Sequence, residues 1–321
     1  MNIDLQAFDH GIYALDADFV RPRMAAVHLI VEQGRVAFVD TGTFESVPLM
    51  LAALEHLGLT VEAVDYVILT HVHLDHAGGA GLLMQKLPNA KLVAHPRGAP
   101  HMQDTSKLWA GVVAVYGEET ARKDYDELIP IPGERIIVAD DGNEVSLAGR
   151  SLKFFDCPGH AKHHLFVYDE SAAAIFSGDT FGLSYRELDQ GEQKFIFPTT
   201  TPTQFDPPAL RASIDHMLSL KPRAIYLTHY AEITDIASMG ADLKRLVSEH
   251  EKLALAWEDC EDQQQRNAAL EQGVQDIAVQ EAEANSGDPT DWLQALGNDI
   301  ALNAQGLAAW LDFRAKMKQR A

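Results

Sequence analysis

Short apolar runs rich in β-branched and aromatic residues recur along the first three quarters of the chain, separated by turns or by helix-period stretches. Residues 8–15, 25–32 and 35–40 read as three strands, with Gly34 at the turn in Glu32-Gln33-Gly34-Arg35, a hairpin signal. Residues 46–58 read as a helix, with Ser46 as N-cap, Pro48 in the first turn and Gly58 at the end. The run Val64-Asp65-Tyr66-Val67-Ile68-Leu69 predicts a short buried strand. A helix over 79–87 stops at Pro88, and 91–94 is again a strand. Strands resume at 135–139, 144–148, 151–156, 164–168 and 173–178. A helix over 208–220 ends before Pro222, and a strand follows at 224–228. This alternation predicts an α/β fold of layered sheets with outer helices.

Three stretches depart from the rhythm. Residues 99–129 read as helical, with Trp109, Val112, Val113 and Tyr116 followed by a charged stretch from Glu118 to Glu127. They form either an insertion that caps a site or an ordinary surface helix pair. Residues 180–206 form a long loop with Phe195, Phe197 and Pro198, and loops of that length are often functional. After about residue 235 the chain turns rich in Ala, Leu, Gln and Glu and carries helices, broken near Ser286-Gly287-Asp288-Pro289. The expected domains are therefore 1–235 and a helical extension over 236–321.

The chemistry concentrates where predicted strands end. Thr70-His71-Val72-His73-Leu74-Asp75-His76 places three histidines and an aspartate within six positions, and Gly78-Gly79 turns the chain into the next helix. Imidazole nitrogen with carboxylate oxygen suits zinc, iron or manganese. In an extended segment His71 and His73 point to one side, and Asp75 and His76 can turn toward a second point. Three more candidate ligands follow strands: His160 in Pro158-Gly159-His160, Asp179 in Gly178-Asp179-Thr180, and His229 in Leu227-Thr228-His229. His28, His95 and His101 are expected not to be ligands, and His10, His56, His216 and His250 read as surface or helix positions.

These motifs resemble those of the metallo-β-lactamase superfamily, in its glyoxalase II-like dinuclear branch. The Thr-His-x-His-x-Asp-His loop is met by Thr70 to His76, and the Pro-Gly-His, Gly-Asp-Thr and last strand-end histidine are met as quoted. The resemblance covers residues 8 to about 230 and implies an αββα sandwich with a C-terminal helical extension. It implies two divalent metal ions, zinc by default, with iron or manganese acceptable to the same ligands. One ion would be held by His71, His73 and His160, the other by Asp75, His76 and His229, with Asp179 bridging. It also implies Asp75 and Asp179 as catalytic carboxylates, Asp40 as a support of the ligands, and a metal-bridging hydroxide as nucleophile; His164, four positions after His160, is a similar candidate support. No Ser or Cys nucleophile is then needed, and Cys157 reads as a small buried residue.

The resemblance is incomplete where substrates are chosen. β-Lactamases of this fold lack the bridging aspartate, which Asp179 supplies here. Glyoxalase II enzymes carry a Gly-Cys-Gly-Arg type segment where this chain reads Phe181-Gly182-Leu183-Ser184-Tyr185-Arg186. Homoserine-lactone lactonases place a tyrosine where Gly182 stands. Tyr185 and Arg186 are the substrate-contact candidates in that loop. The expected activity is hydrolysis of an ester, thioester or lactone. The alternatives are a mononuclear iron enzyme like the persulfide dioxygenases and a non-catalytic metal-binding scaffold acting through the tail.

Charge and composition narrow the partners. A formal net charge of −21 repels polyanions, so a small-molecule substrate is expected rather than nucleic acid. Two cysteines, Cys157 and Cys260, make no disulfide framework. The start has neither a basic nor an apolar leader region, and no apolar run approaches membrane length, so a cytoplasmic protein without membrane contact is expected. In the tail, Trp292, Leu293, Leu296 and Ile300 recur at helical spacing, as do Leu307, Trp310 and Leu311. Helices this short need an apolar face buried elsewhere. The tail is therefore expected to dock close to the site and to support a homodimer.

Overall fold

The computed structural model describes residues 3–125, 128–200 and 204–319. Met1 and Asn2, at the start of the leader reading, lie outside the described residues, as do Glu127 and residues 201–203 of the long loop.

The first sheet has seven strands in chain order: β1 (Leu5–Ala7), β2 (Ile12–Asp16), β3 (Ala26–Glu32), β4 (Arg35–Val39), β5 (Val64–Ile68), β6 (Lys91–Ala94) and β7 (Ile136–Val138). β1 to β4 are an antiparallel meander. β4 to β7 are parallel. Parallel neighbours need a crossover, which helices usually supply. Here these are α1 (Ser46–His56), then α2 (Leu74–Ala77) with α3 (Ala80–Lys86), then α4 (Ala99–Gln103), α5 (Ser106–Tyr116) and α6 (Glu118–Tyr125).

The second sheet comprises β8 (Glu144–Leu147), β9 (Arg150–Asp156), β10 (Leu165–Asp169), β11 (Ala174–Gly178), β12 (Ala224–Leu227) and β13 (Ala231–Ile233). β8 to β11 are antiparallel, and β12 pairs parallel with β11. Between them the chain forms α7 (Pro207–Ser219). The mixed architecture is the expected α/β class, with two sheets and helices.

Alternation along the strands builds two cores. Val39, Ile68 and Val93 of the first sheet meet Phe154, Val167 and Phe176 of the second. Their chain neighbours Phe38, Val67 and Leu92 face the other way, onto Met50 and Leu54 of α1 and Leu83 of α3. Each fully buried side chain of this size is worth about 1.5–3 kcal/mol. Ser46 does not cap α1 as the sequence suggests. Its hydroxyl donates to the Ala17 carbonyl (2.7 Å) and accepts from the Thr43 N–H (3.2 Å), so it ties the β4–α1 loop to β2.

By compactness the chain divides into two units that interleave in sequence. One comprises Met1–Asp156, His163–Gly178 and Pro222–Glu232, and contains nearly all of both sheets. The other comprises Cys157–Lys162, Asp179–Lys221 and Ile233–Ala321. The sequence reading places a single cut at 235 instead. In the second unit, α7 is joined by α8 (Ile236–Ala256), α9 (Gln263–Ala284), α10 (Pro289–Ala295) and α11 (Gly297–Lys318). The break expected near 286–289 is present: Asp288 caps the Thr290 N–H and Pro289 opens α10. Trp292 is fully buried and its ring lies 4.7 Å from that of Phe195 in the long loop. Leu296, Leu307 and Leu311 are buried as well, whereas Phe313 is 53% exposed.

Candidate metal centre

The first unit gathers five of the predicted ligands at the ends of its strands. β5 ends at Ile68, and Thr70 to His76 follow as a loop that closes into α2. Asp75, His76 and His229 each offer a ligand atom within 4.8 Å of the others. Asp75 Oδ2 lies 3.4 Å from Nε2 of both His76 and His229. The outer nitrogens are engaged by protein acceptors. His76 Nδ1 donates to Asp40 Oδ2 (2.9 Å), and His229 Nδ1 donates to the Met24 carbonyl (2.7 Å). Neither a carboxylate nor a carbonyl oxygen can return a proton, so Nδ1 carries a hydrogen, and in the neutral ring Nε2, which faces Asp75, is the atom left to ligate. Burial would push the Asp75 carboxyl up, but when His76 and His229 are protonated their charge and their Nε2–H bonds outweigh it and hold the carboxyl well below the usual carboxylate range.

Asp40 ends β4 in the left-handed region (φ 62°), which Asp tolerates better than most residues. Its carboxylate is almost completely buried and accepts only from donors: the Thr70 N–H (2.8 Å), the Thr70 hydroxyl (2.9 Å), His76 Nδ1 and the Thr228 hydroxyl (3.0 Å). One carboxylate thus links the ends of β4, β5 and β12. Because the Thr70 hydroxyl donates to Asp40, its oxygen accepts from His71 Nδ1 (3.2 Å), which directs His71 Nε2 toward His73 Nδ1 at 2.8 Å. His164 is fully buried with its ring stacked on His71 at 4.7 Å between centroids. Gly178 makes that stack feasible. A Cβ there would lie 2.6 Å from His164 Nε2 and 2.7 Å from Thr70 Oγ1.

The 99–129 segment touches this loop. Leu74, next to Asp75, packs with Tyr125 and Leu128, and Leu108, Trp109 and Val112 of α5 pack against the same cluster.

The second unit supplies His160 and Asp179, with His160 Nε2 3.4 Å from Asp179 Oδ2. Gly159 permits the turn: its φ is +134°, and a Cβ would meet the Leu210 backbone of α7 at 2.3 Å. His160 Nδ1 donates to the Thr199 hydroxyl (3.0 Å), with the Thr199 carbonyl also close (3.3 Å). Cys157 is fully buried with its sulfur 3.4 Å from the Thr180 hydroxyl, in line with a small packed residue. The two substrate-contact candidates are engaged inside this unit. Tyr185 is fully buried and donates to the Asp299 carboxylate of α11 (3.1 Å). Arg186 bonds the Ser184 carbonyl and lies 3.4 Å from Asp189.

Other histidines divide by environment. His95 pairs with Asp156 (2.9 Å) and accepts from the Arg97 N–H. His28 is buried beside Phe176 and Tyr226, and burial pushes its pKa down to about 3. His250 lies on α8, fully buried, with its pKa pushed down by burial to about 4. Sequence reasoning missed Thr70, Thr228, Thr199 and His163. The first two carried a readable signal, because Leu-Thr-His occurs at both strand ends. His163, whose ring lies 5.4 Å from that of His73, is indistinguishable by spacing from its neighbour His164.

Imidazoles with proton-locked outer nitrogens and inner lone pairs turned toward a carboxylate fit a divalent metal ion, as does a borderline N/O donor set. An α/β fold with such a centre on its strand-end loops defines a class of metal-dependent enzymes. The chain belongs to the metallo-beta-lactamase superfamily, whose sequence model matches residues 20–229. A metallo-beta-lactamase fold-containing protein of Sulfurisphaera tokodaii is 25% identical over 251 residues, 75% of this chain and 85% of that protein. A hydroxyacylglutathione hydrolase of Xanthomonas euvesicatoria is 31% identical over 180 residues, 56% of this chain and 51% of the relative, so this chain matches about half the length of that enzyme. A metallo-beta-lactamase family protein of Thermus thermophilus shares the fold, with a TM-score of 0.64 at 20% identity over 95% of this chain and 94% of that one.

Proposed function

We propose that the protein is a dinuclear metal-dependent hydrolase of an ester, thioester or lactone. The observation that carries this reading is the paired arrangement of His76 and His229. Each has its Nδ1 hydrogen committed to a protein acceptor, and each has Nε2 3.4 Å from the same Asp75 oxygen. Similarity to hydroxyacylglutathione hydrolases supports a thioester as the first substrate to try.

In this reading, which is the one the sequence motifs imply, Asp75, His76 and His229 would hold one ion, His71, His73 and His160 would hold the other, and Asp179 would serve both. Bound there, the ions, zinc by default, supply Lewis acidity toward a carbonyl and acidify water near neutral pH. The residues of the chain do the rest. Asp40 and the Met24 carbonyl hold protons on the outer nitrogens of His76 and His229, so the inner nitrogens remain basic. Asp75, which is partly exposed, and the buried Asp179 contribute two negative charges that would offset the cations. The acidic chain, at net charge −21, favours a small-molecule substrate over nucleic acid.

The test is elemental analysis after reconstitution, followed by a panel of esters, thioesters and lactones. Two ions per chain with turnover of one bond class is the expected result. A ceiling of one ion at saturating metal would refute the dinuclear arrangement and favour an enzyme like the mononuclear iron dioxygenases. Two bound ions without turnover would point to the metal-binding scaffold.

A further inference from the structure

A buried asparagine in the middle of a helix needs an explanation, because Asn is a mediocre helix former and its amide must find partners away from water. Asn303 sits in α11 at 2% exposure. Its Nδ2 donates to the Pro198 carbonyl (2.8 Å), and its Oδ1 accepts from the Thr200 N–H (2.7 Å). The Thr200 hydroxyl donates to the Asn303 carbonyl (2.8 Å). The amide therefore clamps the backbone on both sides of Thr199. One helical turn earlier, Asp299 accepts from the Tyr185 hydroxyl of the same loop.

Thr199 is what the clamp holds. Its hydroxyl donates its one hydrogen to the Asp179 carbonyl (2.9 Å), so toward His160 Nδ1 (3.0 Å) its oxygen can only accept. That hydrogen bond, with the longer one to the Thr199 carbonyl (3.3 Å), puts the proton on Nδ1 and leaves Nε2 as the ligating atom; both acceptors belong to the residue the clamp holds. It also turns Nε2 toward Asp179 Oδ2, 3.4 Å away. A threonine hydroxyl has one hydrogen, so its direction toward Asp179 and its acceptance from His160 are set together.

From this geometry we infer that Asn303, acting through Thr199, is a positioning residue for the metal ligand His160. The C-terminal helix is thereby part of the metal site rather than an appendage. The inference rests on the metallohydrolase reading for its catalytic meaning, but the tautomer it assigns does not. Without the clamp, the 198–200 backbone is released, the Thr199 hydroxyl loses its register, and His160 can carry its proton on either nitrogen. Outer-shell partners of this type typically contribute 10–100-fold to metal affinity.

The experiment uses the full chain with Thr199→Val, Thr199→Ser and Asn303→Leu, and the double variant Thr199→Val/Asn303→Leu. In metal-free protein, nitrogen-resolved NMR of His160 reads the tautomer, and thermal unfolding checks the fold. Zinc affinity is then read by chelator competition. Wild type and Thr199→Ser should show one Nδ1–H tautomer, and Thr199→Val and Asn303→Leu a mixture. Zinc affinity should fall about 10–100-fold in both of those variants, with no further fall in the double variant, since both act through one hydroxyl. If Asn303→Leu fails to fold, Thr199→Val against Thr199→Ser still decides whether the hydroxyl sets the tautomer. A wild type that takes up no zinc yet shows the predicted tautomer pattern would sink the metallohydrolase reading alone. A wild type that binds two ions, with folded variants keeping one tautomer and full affinity, would overturn this inference alone.

Discussion

Asp40→Asn is a near-isosteric change whose consequences follow from counting donors. The wild-type carboxylate accepts from the Thr70 N–H (2.8 Å), the Thr70 hydroxyl (2.9 Å), His76 Nδ1 (2.9 Å) and the Thr228 hydroxyl (3.0 Å), all in a fully buried setting. An amide has one acceptor oxygen. The Thr70 N–H cannot turn round, so the amide oxygen takes the place of Oδ1 and the NH2 group falls at Oδ2. There it faces His76 Nδ1 and the Thr228 hydroxyl. The hydroxyl can rotate and accept. The imidazole can accept only by moving its proton to Nε2, which removes the lone pair that faces Asp75. Either the donors clash or the tautomer switches.

A charge-assisted hydrogen bond is worth about 1.5–3 kcal/mol, and the new amide contacts recover part of it, so metal-free Asp40→Asn should be less stable by roughly 1–3 kcal/mol. Metal affinity should fall about 10–100-fold. Urea denaturation of the metal-free protein reads the first effect, and chelator competition reads the second. A folded Asp40→Asn that binds both ions as tightly as wild type would show that Asp40 does not set the His76 tautomer.

Three further outcomes follow from the same structure. Asp179→Asn keeps the shape but removes one negative charge, and should lose at least one ion by elemental analysis and most turnover while keeping the wild-type circular dichroism. His28 resists protonation until about pH 3. The unfolded chain takes that proton near pH 6.5, so the unfolded state binds more protons in between, and wild-type stability falls as pH drops through this window, by at most about 4–5 kcal/mol. His28→Leu should flatten that part of the acid-denaturation profile and leave the profile above pH 6.5 parallel to wild type; an unchanged slope would contradict the assignment. Arg150 bonds the Asp169 carboxylate in a pair whose side chains are 2% and 0% exposed. Arg150→Met leaves that carboxylate, whose Oδ1 still accepts from the Ser171 and Ala172 N–H groups, without its counter-charge and should cost roughly 3–5 kcal/mol in urea titration, with part of it restored in Arg150→Met/Asp169→Asn, which removes the charge and keeps an acceptor.

The apolar runs were enough to locate most of the strands, because period and turn chemistry are local properties, but not β1 and β13, whose three residues are too few to show a period. The strand at 64–69 is β5 almost to the residue, and the break at 286–289 follows from a capping aspartate and a proline. The histidine loop was legible for the same reason: its candidate ligands lie within six positions, and the other candidates follow strands. Local pattern erred where a residue's partner lies elsewhere. Ser46 has the sequence appearance of a cap, yet it bonds Ala17, twenty-nine positions away. Nor does local pattern show that the hydroxyl of Tyr185 bonds Asp299, in a helix of the C-terminal extension.

The sequence by itself determined which side chains are available as ligands and that they stand on strand-end loops. Tertiary structure alone decided which nitrogen of each imidazole carries the proton. That choice depends on acceptors distant in the chain: Asp40 for His76, the Met24 carbonyl for His229, and Thr199 for His160. Tertiary structure also decided that a helix starting at Gly297 belongs with the loop after Asp179, through Asn303 and Thr200, 103 positions apart. A hydrogen bond needs only proximity and direction in space, and it leaves no periodic trace along the chain. Hydrophobic burial repeats with the pitch of each element, and so it can be read there.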